Sequence, residues 1–255
     1  MIPHKLHKDL VGAQVSIDLV GCGGNGSQML NGLARMHIAL QSLGHPGLKV
    51  IAFDGDSVSE ANVGRQLFSP SDIGQNKASV LIHRLNCYYG LGWTAVPRMS
   101  DGGTLQPHIV IGCVDTITSR RAISRNHFHY WLDLGNRDRT GQVILGAPKW
   151  YHNKGDHTRP RTVLEIFPEL NRGKVKEDNT TPSCSLAAAL ERQDLFINQS
   201  VATWALQLLW SFLRHGETYH QGYFINLETG NVRPILVPQP PPGKTLAEIF
   251  GGKPA

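Results

Sequence analysis

The chain has 255 residues, 40% hydrophobic and 18% charged, with a formal charge of +5. This is the composition of a soluble globular protein, and the length fits one large α/β domain or one domain with appended segments. The longest apolar stretch, Val201 to Leu213, is broken by Thr203, Gln207 and Ser211, which excludes a bilayer span. The N-terminal Met-Ile-Pro-His-Lys-Leu-His-Lys-Asp lacks the apolar core of a signal peptide, so a cytoplasmic protein is expected.

In chain order, Val15–Val20 reads as a strand, buried apart from Ser16 and Asp18, and the loop Gly21–Gly26 follows it. Apolar residues at Met29, Leu33, Met36 and Leu40 predict a helix from Asn25 to about Leu40. Lys49–Phe53 is a second strand, and a long polar loop runs from Asp54 to Asn76. Lys77–Tyr88 is a second helix, and Thr94–Pro97 is a candidate short strand. The apolar run Ile109–Val114 predicts a buried parallel strand, Thr116–His127 a helix, and Tyr130–Leu134 and Gln142–Leu145 two more strands. From Gly146 to Ser183 the pattern fails apart from an apolar island at Val163–Phe167, which predicts a long functional crossover loop. Order returns at Leu186–Leu190 and at Phe196–Leu213. Tyr223–Leu227 and Val232–Val237 flank Glu-Thr-Gly-Asn, a hairpin signal. Alternating strands and helices imply a Rossmann-like, doubly wound and mostly parallel sheet with an antiparallel C-terminal extension. One domain is expected over 1–237, including a flexible crossover loop at 146–183, with a flexible proline-rich tail at 238–255.

The basic residues fall in three groups: Arg120, Arg121 and Arg125, then Arg137 and Arg139, then Lys149 to Arg161. They suit a site for an anionic nucleotide or an acidic partner better than a nucleic-acid surface. The cysteines are Cys22, Cys87, Cys113 and Cys184, and no two are spaced as C-x-x-C, so no zinc site is expected. Cys22 and Cys113 read as small packing residues.

Gly21, Gly23, Gly24 and Gly26, between a strand and a helix, let the backbone approach a phosphate while the helix N–H groups face it. Asp54 ends the next strand, where a carboxylate accepts ribose hydroxyls. That role needs one acid, yet Asp56, Asn62, Arg65 and Gln66 follow within a dozen residues. Arg65 offers a planar fork to phosphate oxygens and Lys77 a point charge, while Asn62 can orient a phosphate oxygen or a metal-bound water. Asp115, at the end of the Ile109–Val114 strand, is suited to holding Mg²⁺ beside a triphosphate. The alternatives are ordinary ones: Asp115 as a helix N-cap, and Arg65 and Lys77 as solvated loop charges.

Together, Asp54-x-Asp-x-Val-x-x-x-Asn62-x-x-Arg65-Gln66, Gly74-Gln-x-Lys77 and a strand ending in Asp115 resemble the ThiF/MoeB/HesA proteins, bacterial relatives of ubiquitin-activating enzymes. The resemblance covers roughly Val15 to Leu213 and is nearest to the ThiF-related members of the PRTRC plasmid cassette. It implies Asp54 on the ATP ribose, Asn62, Arg65 and Lys77 on the phosphates, and Asp115 supporting Mg²⁺ and adenylation. Gly21, Gly23, Gly24, Gly26, Asp56, Gln66 and Arg120 complete the nucleotide site. The implied activity is ATP- and Mg²⁺-dependent adenylation of the C-terminal carboxylate of a small ubiquitin-like (β-grasp) or sulfur-carrier protein ending in glycine, by a homodimer. Arg65, Lys77, Asp115 and Cys184 form the implied catalytic set. Cys184, in Thr180-Thr-Pro-Ser-Cys-Ser-Leu ahead of helical sequence, matches the crossover cysteine that forms a thioester or persulfide in some members. The chain departs from the family in lacking two zinc-binding C-x-x-C pairs, in offering only Lys5 and Lys8 where an arginine-rich N-terminal helix is common, and in carrying Thr116 where Asn is usual. Two other readings are a non-catalytic nucleotide-binding scaffold of a plasmid-associated system and an NAD(P)-dependent Rossmann oxidoreductase. The latter leaves Arg65, Gln66 and Lys77 without a role.

Overall fold

The computed structural model describes residues 1–99, 106–150, 156–171, 187, 190 and 193–240. The strands are β1 (His4–Lys5), β2 (Val15–Val20), β3 (Leu48–Phe53), β4 (Thr94–Val96), β5 (Ile109–Gly112), β6 (Tyr130–Asn136), β7 (Thr140–Gly146), β8 (Glu217–Thr218), β9 (His220–Asn226) and β10 (Asn231–Leu236). The helices are α1 (Gly24–Ser42), α2 (Lys77–Tyr89), α3 (Ile117–Ser124), α4 (Val163–Ile166) and α5 (Ile197–His215).

Eight strands form one sheet in the order β10-β9-β7-β6-β5-β2-β3-β4. β4, β3, β2, β5 and β6 run parallel, whereas β7, β9 and β10 continue the sheet antiparallel. The chain therefore leaves β2 for one side of the sheet through β3 and β4, and returns to its other side with β5. That reversal puts the C-terminal ends of β2 and β5 side by side, where open α/β sheets bind ligands. The hairpin predicted from Glu-Thr-Gly-Asn is β9–β10.

Alternation along the central strands separates two cores. Ile109, Ile111, Tyr130, Leu132, Leu134, Val143 and Leu145 face the larger one, which α1, α2 and α5 cover. Val110, Trp131 and Ile144 face a smaller one with Ile123 of α3 and Val163 of α4. α1 and α5 approach closely at Gly32, where a Cβ would stand 2.0 Å from Leu206. Because both faces are covered, Asp18 is buried at 7% exposure rather than turned outward as the strand pattern suggests. Burial raises its pKa to about 7.

The predicted third helix is shorter than Thr116–His127. Thr116 is its N-cap, and Asn126 Nδ2 donates to the carbonyls of Ala122 and Ile123 at its end. The apolar island of the long loop forms α4 inside the described stretch 156–171. Thr162 and Glu165 close it with a capping box, and Arg159 clamps Glu165 with Nη2 to Oε1 at 2.8 Å. Residues 151–155 and 172–183 of that loop, Cys184, most of the expected ordered stretch Leu186–Leu190, and residues 241–255 of the proline-rich tail lie outside the described residues. Gln239, within the predicted tail, exchanges two hydrogen bonds with the Ile2 backbone at 2.9 and 3.0 Å.

The N-terminal segment, unassigned by periodicity, pairs β1 with β8 and then crosses the start of β6, where the Tyr130 hydroxyl accepts from the His7 N–H at 3.0 Å. No helix among the described residues is long and apolar enough to cross a membrane.

Candidate nucleotide site

The turn after β2 is dictated by contact. Gly21 adopts φ +92°, and a Cβ there would stand 2.5 Å from the Cys113 carbonyl oxygen at the end of β5. A Cβ on Gly26 would stand 1.9 Å from the Gly21 carbonyl oxygen, so the first turn of α1 folds directly over the loop. Over Gly23 the space is open to 3.9 Å, where the Gln66 amide lies. The loop thus brings the N-terminus of a 19-residue helix to the switch point with backbone exposed beneath it.

Asp54 is held in place by that loop. Its Oδ2 accepts from the Cys22 N–H at 2.6 Å and its Oδ1 from the Asp56 N–H at 2.8 Å. Burial raises its pKa, while those two N–H groups and the Lys77 charge oppose the rise. One lone pair on each oxygen is engaged, so the other can accept a hydroxyl. Asn76 ties the β3 end to α2: its Nδ2 donates to the Asp54 carbonyl at 2.8 Å, and its Oδ1 caps the helix at Ser79. Lys77, the first residue of α2, is buried and pairs with the exposed Asp56 at 3.0 Å. Asn62 is also buried, but its Oδ1 accepts from the Ser59 N–H and hydroxyl in a capping box, leaving only the Nδ2 end outside that box.

Arg65 and Asp115 face one another electrostatically across the switch point: burial lowers the Arg65 pKa and Asp115 opposes that shift. The Arg65 Nη1 donates to Gln193 Oε1, while its Nε is buried without a partner. Asp115 is exposed just beyond β5. The cap that sequence alone leaves open to Asp115 belongs to Thr116, whose Oγ1 accepts from the Ser119 N–H at 3.1 Å. The Asp115 carboxylate is thereby released from capping α3.

Arg120 has a different place from its predicted neighbours. Its Nε sits 3.0 and 3.2 Å from the two oxygens of Asp133, and its Nη1 and Nη2 reach the carbonyls of Asp115 and Leu134 at 3.5 and 3.4 Å. Asp133 is 1% exposed. The guanidinium therefore anchors the loop that carries Asp115 and positions it through the backbone.

Four amides that the motif pattern did not single out ring the loop. Asn25 Nδ2 donates to Asn136 Oδ1 at 2.8 Å, and Asn198 Nδ2 lies 3.5 Å from Gln193 Oε1. A Cβ on Gly24 would stand 2.5 Å from the Asn198 amide. Asn25 Oδ1 and Gln66 Oε1 are buried without hydrogen-bond partners. The one local signal was Asn25 itself, a polar residue inside the glycine loop. Cys22 and Cys113 are buried with thiol pKa values pushed up, first by burial, and neither suits a nucleophile.

A glycine loop, an acid at the end of the adjacent strand and opposed charges at the switch point define a Rossmann-like nucleotide-binding protein. The chain belongs to the ThiF family, whose profile matches residues 4–244. Among solved structures it is similar to MccB of E. coli, with 16% identity, 92% of this chain and 65% of that chain covered, and a TM-score of 0.58. PaaA is similar at 14% identity, covering 91% and 66%, with a TM-score of 0.55. A structure described as E. coli MccB with ATP is similar at 15% identity, 92% and 66%, with a TM-score of 0.54. The chain thus spans about two thirds of the length of these structures. Among curated proteins none matches it.

Proposed function

We propose that this protein binds ATP at the switch point and transfers its adenylyl group to the C-terminal carboxylate of a small protein or peptide. The observation that carries this reading is the gathering of a ribose-type acid, two cations and a released carboxylate around one glycine loop: Asp54, Lys77, Arg65 and Asp115. The residues fit the nucleotide by two further marks. Arg65 Nε and Gln66 Oε1 are buried without partners, and a Cβ at Gly21 or Gly26 would collide with backbone. Likeness to MccB structures described as complexes with ATP and with MccA supports the same reading.

In the proposed reaction a carboxylate oxygen of the substrate attacks the α-phosphorus. The bond from that phosphorus to the bridging oxygen of the β-phosphate breaks, and pyrophosphate leaves with the electron pair. Asp54 fixes the ribose, and Arg65 and Lys77 offset charge growing on the phosphate oxygens. Asp115 would hold Mg²⁺, whose charge would offset that on the phosphates. Asn62 can use only its amide N–H end for a phosphate contact. Arg120 serves by holding the Asp115 loop.

The substrate in this reading is a β-grasp protein ending in glycine, the working unit a cytoplasmic homodimer, and Cys184 the acceptor, its thiolate displacing AMP from the adenylate to form a thioester; a persulfide on Cys184 would require a separate sulfane-sulfur donor to pass its outer sulfur to that thiolate. ATP–pyrophosphate exchange with such a protein tests it. We expect exchange in the wild type and a loss of about 10²–10³-fold in Asp115→Ala, the scale of removing one key transition-state contact. Undiminished exchange in that variant overturns the assignment. ATP binding with no exchange points to a scaffold, and preference for NADH over ATP to an oxidoreductase. Cys184→Ala is expected to abolish a reducible adduct with the partner while exchange survives.

A further inference from the structure

The opposite end of the parallel strands carries a second cluster of chemistry-bearing side chains. His108 precedes β5 and His129 precedes β6, so both stand at the strand ends farthest from Asp115. The N-terminal segment lays His7 and Asp9 against them. Asp9 Oδ2 lies 3.2 Å from His129 Nε2 and 3.6 Å from His7 Nδ1. One ligand atom from each of His7, Asp9 and His129 falls within 4.8 Å of the others.

These separations suit a metal. Four ligands about 2.1 Å from a tetrahedral ion stand roughly 3.4 Å apart, so two edges of the triangle already have ligand spacing, and the third, no longer than 4.8 Å, contracts by at most about 1.4 Å as His7 Nδ1 gives up the Asp9 N–H it accepts at 3.3 Å. The surroundings are pre-built. The Tyr130 hydroxyl accepts from the His7 N–H, which fixes the segment that carries both N-terminal ligands. The His129 ring packs between those of His7 and His108, with centroids 4.7 and 5.4 Å away. His108 is itself fixed by a reciprocal pair: its Nδ1 accepts from the Ser16 N–H at 3.1 Å, and the Ser16 hydroxyl accepts from its N–H at 2.9 Å. The side chains of His129, His7 and Asp9 are 10, 20 and 45% exposed, a gradient that opens one side of the cluster to solvent.

We propose that His7, Asp9 and His129 form a binding site for one divalent transition metal ion of the zinc type, with water in the fourth position. Two imidazoles and one carboxylate are a borderline nitrogen–oxygen donor set, which favours Zn²⁺, Co²⁺ or Ni²⁺ over Mg²⁺ or Ca²⁺. The absence of C-x-x-C pairs excludes a cysteine-built zinc site and leaves a histidine-built one open. The ion would join Asp9 to His129, 120 positions apart, and so fasten the N-terminal segment to the base of the sheet. Binding moves the proton between His129 Nε2 and Asp9 to the other ring nitrogen or to solvent, since the ligating nitrogen must present its lone pair.

Zn²⁺ titration by calorimetry, with saturating Mg²⁺ and ATP present to occupy the nucleotide site, tests the proposal on the full chain. We expect one Zn²⁺ per chain, an affinity at least tenfold weaker in His7→Gln and in Asp9→Asn, and unchanged far-ultraviolet circular dichroism in both. The strongest rival is the exposed pair on α2, where Cys87 Sγ lies 3.7 Å from His83 Nε2. Co²⁺ separates them: ligation at the proposed site gives visible d–d bands without a thiolate charge-transfer band. Zn²⁺ affinity that survives His7→Gln and Asp9→Asn but falls in His83→Gln, or a thiolate band with Co²⁺, overturns the assignment. Absence of stoichiometric Zn²⁺ binding in the folded wild type does so equally.

Discussion

The two ends of the parallel strands are built in opposite ways. At the C-terminal ends, Asp54, Asp56, Asn62, Arg65, Gln66 and Lys77 come from one stretch of 24 residues; local capping and backbone bonds fix Asp54, Asn62 and the start of α2, while Arg65 also reaches Gln193, 128 positions away. At the N-terminal ends, His7 and Asp9 meet His129 across 120 positions, held together by strand order and by Tyr130. A short-range site can be placed by strand–turn–helix geometry alone, whereas a long-range one exists only after the sheet has closed. The upper end is accordingly the part a motif reveals, and the lower end the part that depends on the fold.

Three substitutions sharpen that contrast. The largest stability effect is expected at the buried ion pair of the upper end, Arg120–Asp133. Arg120→Met leaves Asp133 buried and unpaired, which costs about 3–5 kcal/mol in urea unfolding. It should also lower ATP–pyrophosphate exchange by loosening the Asp115 loop. A loss under 1 kcal/mol would mean that the Asp115 loop is held without that pair. Next comes Gly26→Ala, in which a methyl group meets the Gly21 carbonyl; overpacking of this kind costs about 1–3 kcal/mol. ATP affinity should fall in parallel. Unchanged affinity would show that the loop does not need its closed turn.

The effect expected at Asp18, between the two ends, depends on pH and vanishes at its acidic limit. Its pKa in the folded chain is about 7, against 3.8 as the ordinary value. Between those values the folded state holds a proton that the unfolded state has released, so stability falls as pH rises through that window and levels off above it. Asp18→Asn should match the wild type near pH 4 and exceed it by about 1–3 kcal/mol at pH 8, a discounted share of the roughly 1.4 kcal/mol per pH unit that linkage allows. A difference that does not change with pH would place the Asp18 carboxyl in contact with solvent.

Much of the architecture is legible in the residues. The period-2 and period-3.6 patterns locate β2, α1, β3, α2, β5, β6, α5 and the final hairpin to within a few residues. The polar density after Asp54 points to a nucleotide, and the family match agrees with the resemblance read from it. What periodicity misjudges is burial and partnership. Asp18 looks exposed because alternation is read for a sheet with one covered face, while this sheet has two. Asp115 looks like a cap until Thr116 takes that place, and nothing local shows that Arg120, read as part of the nucleotide site, is engaged by Asp133.

Sequence by itself therefore determined the order of strands and helices, the glycine turn and the chemical character of the loop from Asp54 to Lys77, because each depends on neighbours a few positions away. Tertiary structure alone decided which charged groups remain available at the switch point, which amides face the glycine loop, and that two histidines and an aspartate meet at the base of the sheet. The physical reason is the strand order. β5 lies beside β2, with β6 on its far side, and partners more than a hundred residues apart are chosen by that adjacency, which no local period encodes.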